Sequence, residues 1–180
     1  MKSREFDPRR LDVAAFAKDA GSLEGDWPLA SLERLAASSL PDPDAAPVRF
    51  TLTGEQRSAK GNEQQVWLHV TAGARVHLEC QRCLQPLAVD VDAERSFLFV
   101  HGEETAAALD ADAEDDVLAL TRALDAQELV EDELLLALPL VPRHDVCPDP
   151  LPLAADDLPE DTKPNPFAKL AALKKGGLPN

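Results

Sequence analysis

The sulfur of this chain lies in two short stretches. Cys80 and Cys83 form a C-x-x-C pair in "ECQRCLQP", and the third cysteine, Cys147, follows His144 at H-x-x-C spacing in "RHDVCP". Thiolates and imidazoles are zinc ligands, and a structural site takes four of them in a tetrahedron, typically as two short pairs joined by a loop. Cys80, Cys83, His144 and Cys147 meet that description and make zinc the candidate cofactor. The intervening loop of roughly sixty residues is far longer than in ordinary zinc fingers, so the fold would have to bring the pairs together. A second reading stays open, in which Cys80 packs as a small hydrophobe and His144 lies free in a Pro-rich loop. A third, thiol–disulfide exchange, needs the C-x-x-C at a helix N-terminus, where the dipole lowers the thiol pKa. Here it lies between two β-like stretches. Acid/base and phosphate chemistry find less: the carboxylates come in runs that read as solvated surface, and the eight glycines are scattered. The expectation is therefore a protein without catalytic activity.

The elements that must position these residues follow from periodicity. "LDVAAFAKDA" and "PLASLERLAASS" carry apolar residues at helical spacing, so residues 1–46 are expected to be a helical N-terminal segment. From Pro47 the pattern alternates. Val48, Phe50 and Leu52, then Val66, Leu68 and Val70, then Val76, Leu78 and Cys80, then Leu87, Val89 and Val91 each share one face of a strand. Gly73 is either a bulge in one long strand or a turn between two short ones. The strands flanking Cys80–Pro86 make a hairpin with the cysteines at its tip. A solvated loop is expected near residues 106–116, and "DVLAL" reads as a short strand. A helix over Asp125–Leu138 has Asp125 as its cap, Glu128 completing a capping box, and a buried stripe of Leu129, Val130, Leu134 and Leu138. Residues 47–138 thus form a β-rich core with a capping helix. Short connections imply an α+β domain with an antiparallel, curved or barrel-like sheet and flanking helices. Residues 139–180 read as an extended, Pro-rich tail ending in a short helix with Phe167, Leu170 and Leu173 on its apolar side.

Charge narrows the partners. The net charge is −15, which repels phosphate, whereas direct nucleic-acid binding usually shows as a basic patch. A basic protein partner suits it better, meeting an acidic face at Glu128, Glu131 and Asp132, with Phe167 and Leu170 offering a second, apolar contact. The charged N-terminus has no signal-like apolar run, and no stretch approaches the ~20 apolar residues of a membrane span. A cytoplasmic protein without membrane contact is expected.

Three segments together, "LECQRCLQP", "LVEDELLLALPLVPRHDVC" and "KPNPFAKLAALKK", resemble the YceD-type family, the large ribosomal RNA subunit accumulation proteins of bacteria. The resemblance implies ribosome biogenesis: support of 23S rRNA synthesis, processing or stability, with no enzymatic activity. It implies a basic ribosomal protein or a large-subunit assembly intermediate as partner, with 23S rRNA reached indirectly. Competing readings are a zinc-stabilised RNA-binding protein and a C-x-x-C oxidoreductase. Some relatives carry more cysteines around the third of these segments; this chain lacks that cluster, which leaves His144 to fill the gap.

Overall fold

Alternating burial builds most of the sheet seen in the computed structural model, which describes residues 6–58 and 64–148. In chain order the elements are α1 (Val13–Lys18), β1 (Ser22–Trp27), α2 (Glu33–Ala37), β2 (Val48–Ser58), β3 (Gln64–Glu79), β4 (Pro86–Val100), α3 (Glu103–Asp110), β5 (Asp116–Ala119) and α4 (Ala126–Ala137). The five strands form one sheet in the order β1-β2-β3-β4-β5. β3 and β4 pair antiparallel from Val66↔Phe99 to Glu79↔Pro86, a long hairpin that turns through the cysteine segment. Gly73 is neither turn nor bulge: the ladder runs one-to-one through Ala72↔Ala93, Gly73↔Asp92 and Ala74↔Val91.

Five expectations are corrected. The sheet is mixed, because β5 pairs parallel to β4 from Phe97↔Asp116 to Val100↔Ala119. A parallel neighbour needs a crossover, and α3 supplies it where a loop was expected. Gly102, with φ of 87°, redirects the chain after β4, and the alanine-rich "TAAAL" that follows favours a helix, burying Ala106. The sheet is also open, with β1 and β5 as its two edges. The N-terminal segment is not all helical either. Ser22–Trp27 pairs with β2 from Ser22↔Thr53 to Trp27↔Val48, and the Trp27 ring stacks on Phe50 at 3.7 Å between centroids. Finally, the expected tail does not begin at Pro139, since the unit that holds the sheet runs on to Cys147. The C-terminal helix expected around Phe167 and Leu170 lies outside the described residues.

One face of the sheet carries the main core. Leu52, Leu68, Val70, Val91 and Phe97 pack with Val13 and Phe16 of α1, Leu35 of α2, and Ala126, Val130 and Leu134 of α4. Gly54 lets α1 approach: a Cβ there would stand 2.7 Å from Phe16 Cδ1 and 2.8 Å from the Ala17 nitrogen. The helix α4 begins at Asp125, whose Oδ1 accepts from the backbone of Gln127 at 3.0 Å and Glu128 at 3.2 Å. Its expected stripe is half right. Val130 and Leu134 are fully buried, while Leu129 and Leu138 pack partly buried at the margin.

Candidate metal centre

The C-x-x-C turn is shaped by its own backbone. Beyond the end of β3, the Cys80 nitrogen donates to the Gln85 carbonyl at 3.0 Å and the Leu84 nitrogen to the Cys80 carbonyl at 2.8 Å. Leu84 takes a left-handed φ of 60°, a conformation usually left to glycine, so the tight turn holds Leu84 in a sparsely populated backbone region. The Gln81 nitrogen then donates to the Pro142 carbonyl at 2.9 Å. That bond lays the segment after α4 against the hairpin tip and brings the second ligand pair into range.

The four sequence-predicted ligands converge. One ligand atom from each of Cys80, Cys83, His144 and Cys147 lies within 4.8 Å of all the others. Cys80 Sγ and Cys147 Sγ are 4.0 Å apart, and Cys83 Sγ is 3.4 Å from His144 Nδ1. A tetrahedron with Zn–S of ~2.3 Å and Zn–N of ~2.0–2.1 Å has edges of about 3.8 Å between sulfurs and about 3.5 Å between sulfur and nitrogen. The cluster is therefore already close to metal size. All three thiols are buried and packed together as a satellite of the main core, with Leu87 against them. A Cys3His cluster so arranged can hold a metal ion such as zinc.

Hydrogen bonds around the cluster suit that role. His144 Nε2 donates to the Pro86 carbonyl at 3.2 Å, which fixes the tautomer and leaves Nδ1 as the bare nitrogen facing the sulfurs. Burial pushes the Cys80 thiol up, but N–H groups from the backbones of His144, Arg82 and Cys83 outweigh it and bring the thiol down to about 5. One of these, the His144 nitrogen, donates to Cys80 Sγ at 3.4 Å. Cys83 moves the other way: burial, reinforced by the Cys147 and Cys80 sulfurs against a backbone bond from Gln85, pushes it up to about 11. With a strand on either side, the pair has no helix dipole behind it, so the geometry gives the oxidoreductase reading no support.

The acidic residues of α4 sort into different roles. Glu131 is only 7% exposed. Its Oε1 accepts from the backbone of Arg34 at 2.7 Å and of Leu35 at 3.0 Å, and its Oε2 from Arg34 Nε at 3.0 Å. It caps α2 from another helix. Asp132 pairs with the same guanidinium and stays half-exposed, whereas Glu128 is exposed. Glu133 is buried against Arg95, with Nε to Oε2 at 3.2 Å. Sequence periodicity missed both buried carboxylates. On the sheet's outer face a further network escaped it: His69 bridges Ser96 Oγ at 2.8 Å and Glu55 Oε2 at 2.9 Å. Arg57, paired with Glu55, lies 4.5 Å over the Trp67 ring.

Fold and site together define an α+β protein whose open mixed sheet presents a buried Cys3His cluster at the tip of its longest hairpin. The chain belongs to the family described as Large ribosomal RNA subunit accumulation protein YceD, which matches residues 68–174 and so takes in both halves of the cluster. A Large ribosomal RNA subunit accumulation protein YceD from Haemophilus influenzae (strain ATCC 51907 / DSM 11121 / KW20 / Rd) is 38% identical over 115 residues, covering 56% of this chain. The chain spans 60% of the length of that relative. No solved structure matches.

Proposed function

We propose that the protein is a non-enzymatic, cytoplasmic factor of large-subunit assembly that supports 23S rRNA synthesis, processing or stability. The observation that carries this is the family match over residues 68–174. A net charge of −15 adds the mechanism: such a chain is electrostatically suited to hold a basic ribosomal protein, with 23S rRNA reached through that partner. Glu128 and Asp132 on the exposed side of α4 are the contact residues, while Glu131 serves the fold. Phe167 and Leu170 extend the contact as an apolar pair. Among the described residues no helix is long and apolar enough to cross a membrane. Zinc bound by Cys80, Cys83, His144 and Cys147 is a structural element of the same factor, tying residues 142–147 to the hairpin. Near-metal spacing of the four ligand atoms supports that reading.

Two measurements test it. Deleting the gene should lower 23S relative to 16S rRNA, and unchanged ratios would overturn the biological role. Protein purified without chelator should hold close to one equivalent of zinc, as structural sites do, and less than about a tenth of an equivalent would remove the metal from the proposal.

A further inference from the structure

Arg82 lies between the two hairpin cysteines, where an ion pair with a carboxylate is the ordinary expectation. Its partners among the described residues are of another kind. Arg82 Nε donates to Cys147 Sγ at 3.0 Å, and its Nη2 donates to the backbone carbonyls of His144 at 2.9 Å and Asp145 at 3.3 Å. One guanidinium from the first ligand pair thus grips a ligand atom and the backbone of the second pair. Three thiolates, a neutral imidazole and a divalent ion sum to one negative charge. An arginine, always protonated, cancels it.

We propose that Arg82 is the positioning and charge-balancing residue of the metal centre, holding the Cys147 sulfur as a ligand and making the filled site electrically neutral. This rests on the zinc reading above. The fork geometry matters because lysine supplies the charge but carries all its N–H groups on one nitrogen, whereas the guanidinium holds Nε and Nη2 apart in a rigid plane. The contact to sulfur matters because a hydrogen bond from a cation withdraws electron density from the thiolate. It thereby tunes the metal–sulfur bond as well as the loop, in the way that groups outside the ligand shell tune other metal sites. The Gln81–Pro142 backbone bond secures the same segment independently, so removing the guanidinium leaves the loop tethered.

The test compares the full-length protein with its Arg82→Gln and Arg82→Lys variants. Zinc affinity is read by competition with a chromogenic chelator, and the site's electronic structure by its cobalt(II) absorption. Arg82→Gln should bind zinc about 10–100-fold more weakly, with the sulfur-to-cobalt charge-transfer band moved to longer wavelength. Arg82→Lys, which keeps the charge, should recover part of both. Arg82→Gln affinity within about threefold of wild type, well under the loss typical of such partners, would overturn the proposal. So would a loss of affinity equal in the two variants with the cobalt band unmoved, because that is the behaviour of a purely mechanical peg. Wild-type protein that takes up neither zinc nor cobalt would instead sink the zinc reading on which the inference stands.

Discussion

Glu131 offers the sharpest test of how the fold uses its acidity. Its carboxylate accepts two backbone N–H groups in the first turn of α2 and pairs with Arg34. Replacing it by alanine leaves those N–H groups without their acceptor. A lost cap costs about 1 kcal/mol, and a buried donor deprived of a charged acceptor about 1.5–3 kcal/mol. The Arg34 side chain is 48% exposed, so the ion pair itself adds less than about 1 kcal/mol. A total of about 2.5–5 kcal/mol follows, which for a chain of this size lowers Tm by roughly 5–20 °C. Glu128→Ala, three residues earlier on α4 but exposed, should stay within about 0.5 kcal/mol of wild type. Urea unfolding at fixed zinc, followed by tryptophan fluorescence, measures both, because Trp27 lies on β1 close to the α2 connection. A double-mutant cycle with Arg34→Ala then separates the ion pair from the cap, since the backbone bonds survive the loss of the guanidinium. Equal stability of the Glu131→Ala and Glu128→Ala proteins would refute the cross-helix cap.

The other expected outcomes concern the metal, a buried acid and the partner face. Zinc affinity should rise with pH across the neutral range, because Cys83, pushed up to about 11, must lose its proton to ligate, while Cys80, brought down to about 5, is already a thiolate. Competition titrations at stepped pH check this, and a flat profile would contradict it. Burial raises the Glu133 carboxyl, with Arg95 opposing, so folding favours its protonated form. That contribution is complete below the unfolded carboxyl pKa of ~4.3 and is lost as pH rises through the higher folded value. Glu133→Gln should therefore be at least as stable as wild type at neutral pH, with its advantage shrinking on acidification. Unfolding at two pH values decides, and a neutral-pH loss above about 1 kcal/mol would show the Arg95 pair to be the larger effect. Glu128→Lys should weaken capture of the basic partner and flatten its salt dependence without changing Tm. An unaltered salt slope would move the contact off α4.

What could be read from the sequence depended on how local its cause was. β2, β3 and β4 were visible because each buries alternate residues on one face, and Asp125 as a cap because its acceptors lie two and three residues on. The metal ligands were visible as types and spacings, but their convergence was not, since it hangs on the Gln81–Pro142 bond between segments joined through the whole of β4, α3, β5 and α4. β1 escaped because "SLEGDW" alternates only between exposed and half-buried positions, the weak pattern of an edge strand, and takes its identity from β2. The strand β5 was visible in "DVLAL" but its parallel direction was not: four residues carry no direction, and only α3 decides from which end they enter the sheet. Glu131 and Glu133 are the most instructive failures. In a helix with an acidic surface they look like two more solvated charges, yet each is buried by an arginine from a distant element, Arg34 from α2 and Arg95 from β4. A buried carboxylate is tolerable only when its hydrogen bonds are supplied, and here the suppliers stand 97 and 38 residues away in the chain, respectively. Part of the chain's acidity is thus taken up inside the fold: of the α4 carboxylates proposed to meet a partner, Asp132 is already shared with Arg34 of α2, which leaves the exposed Glu128 as the one without an arginine from α2 or β4.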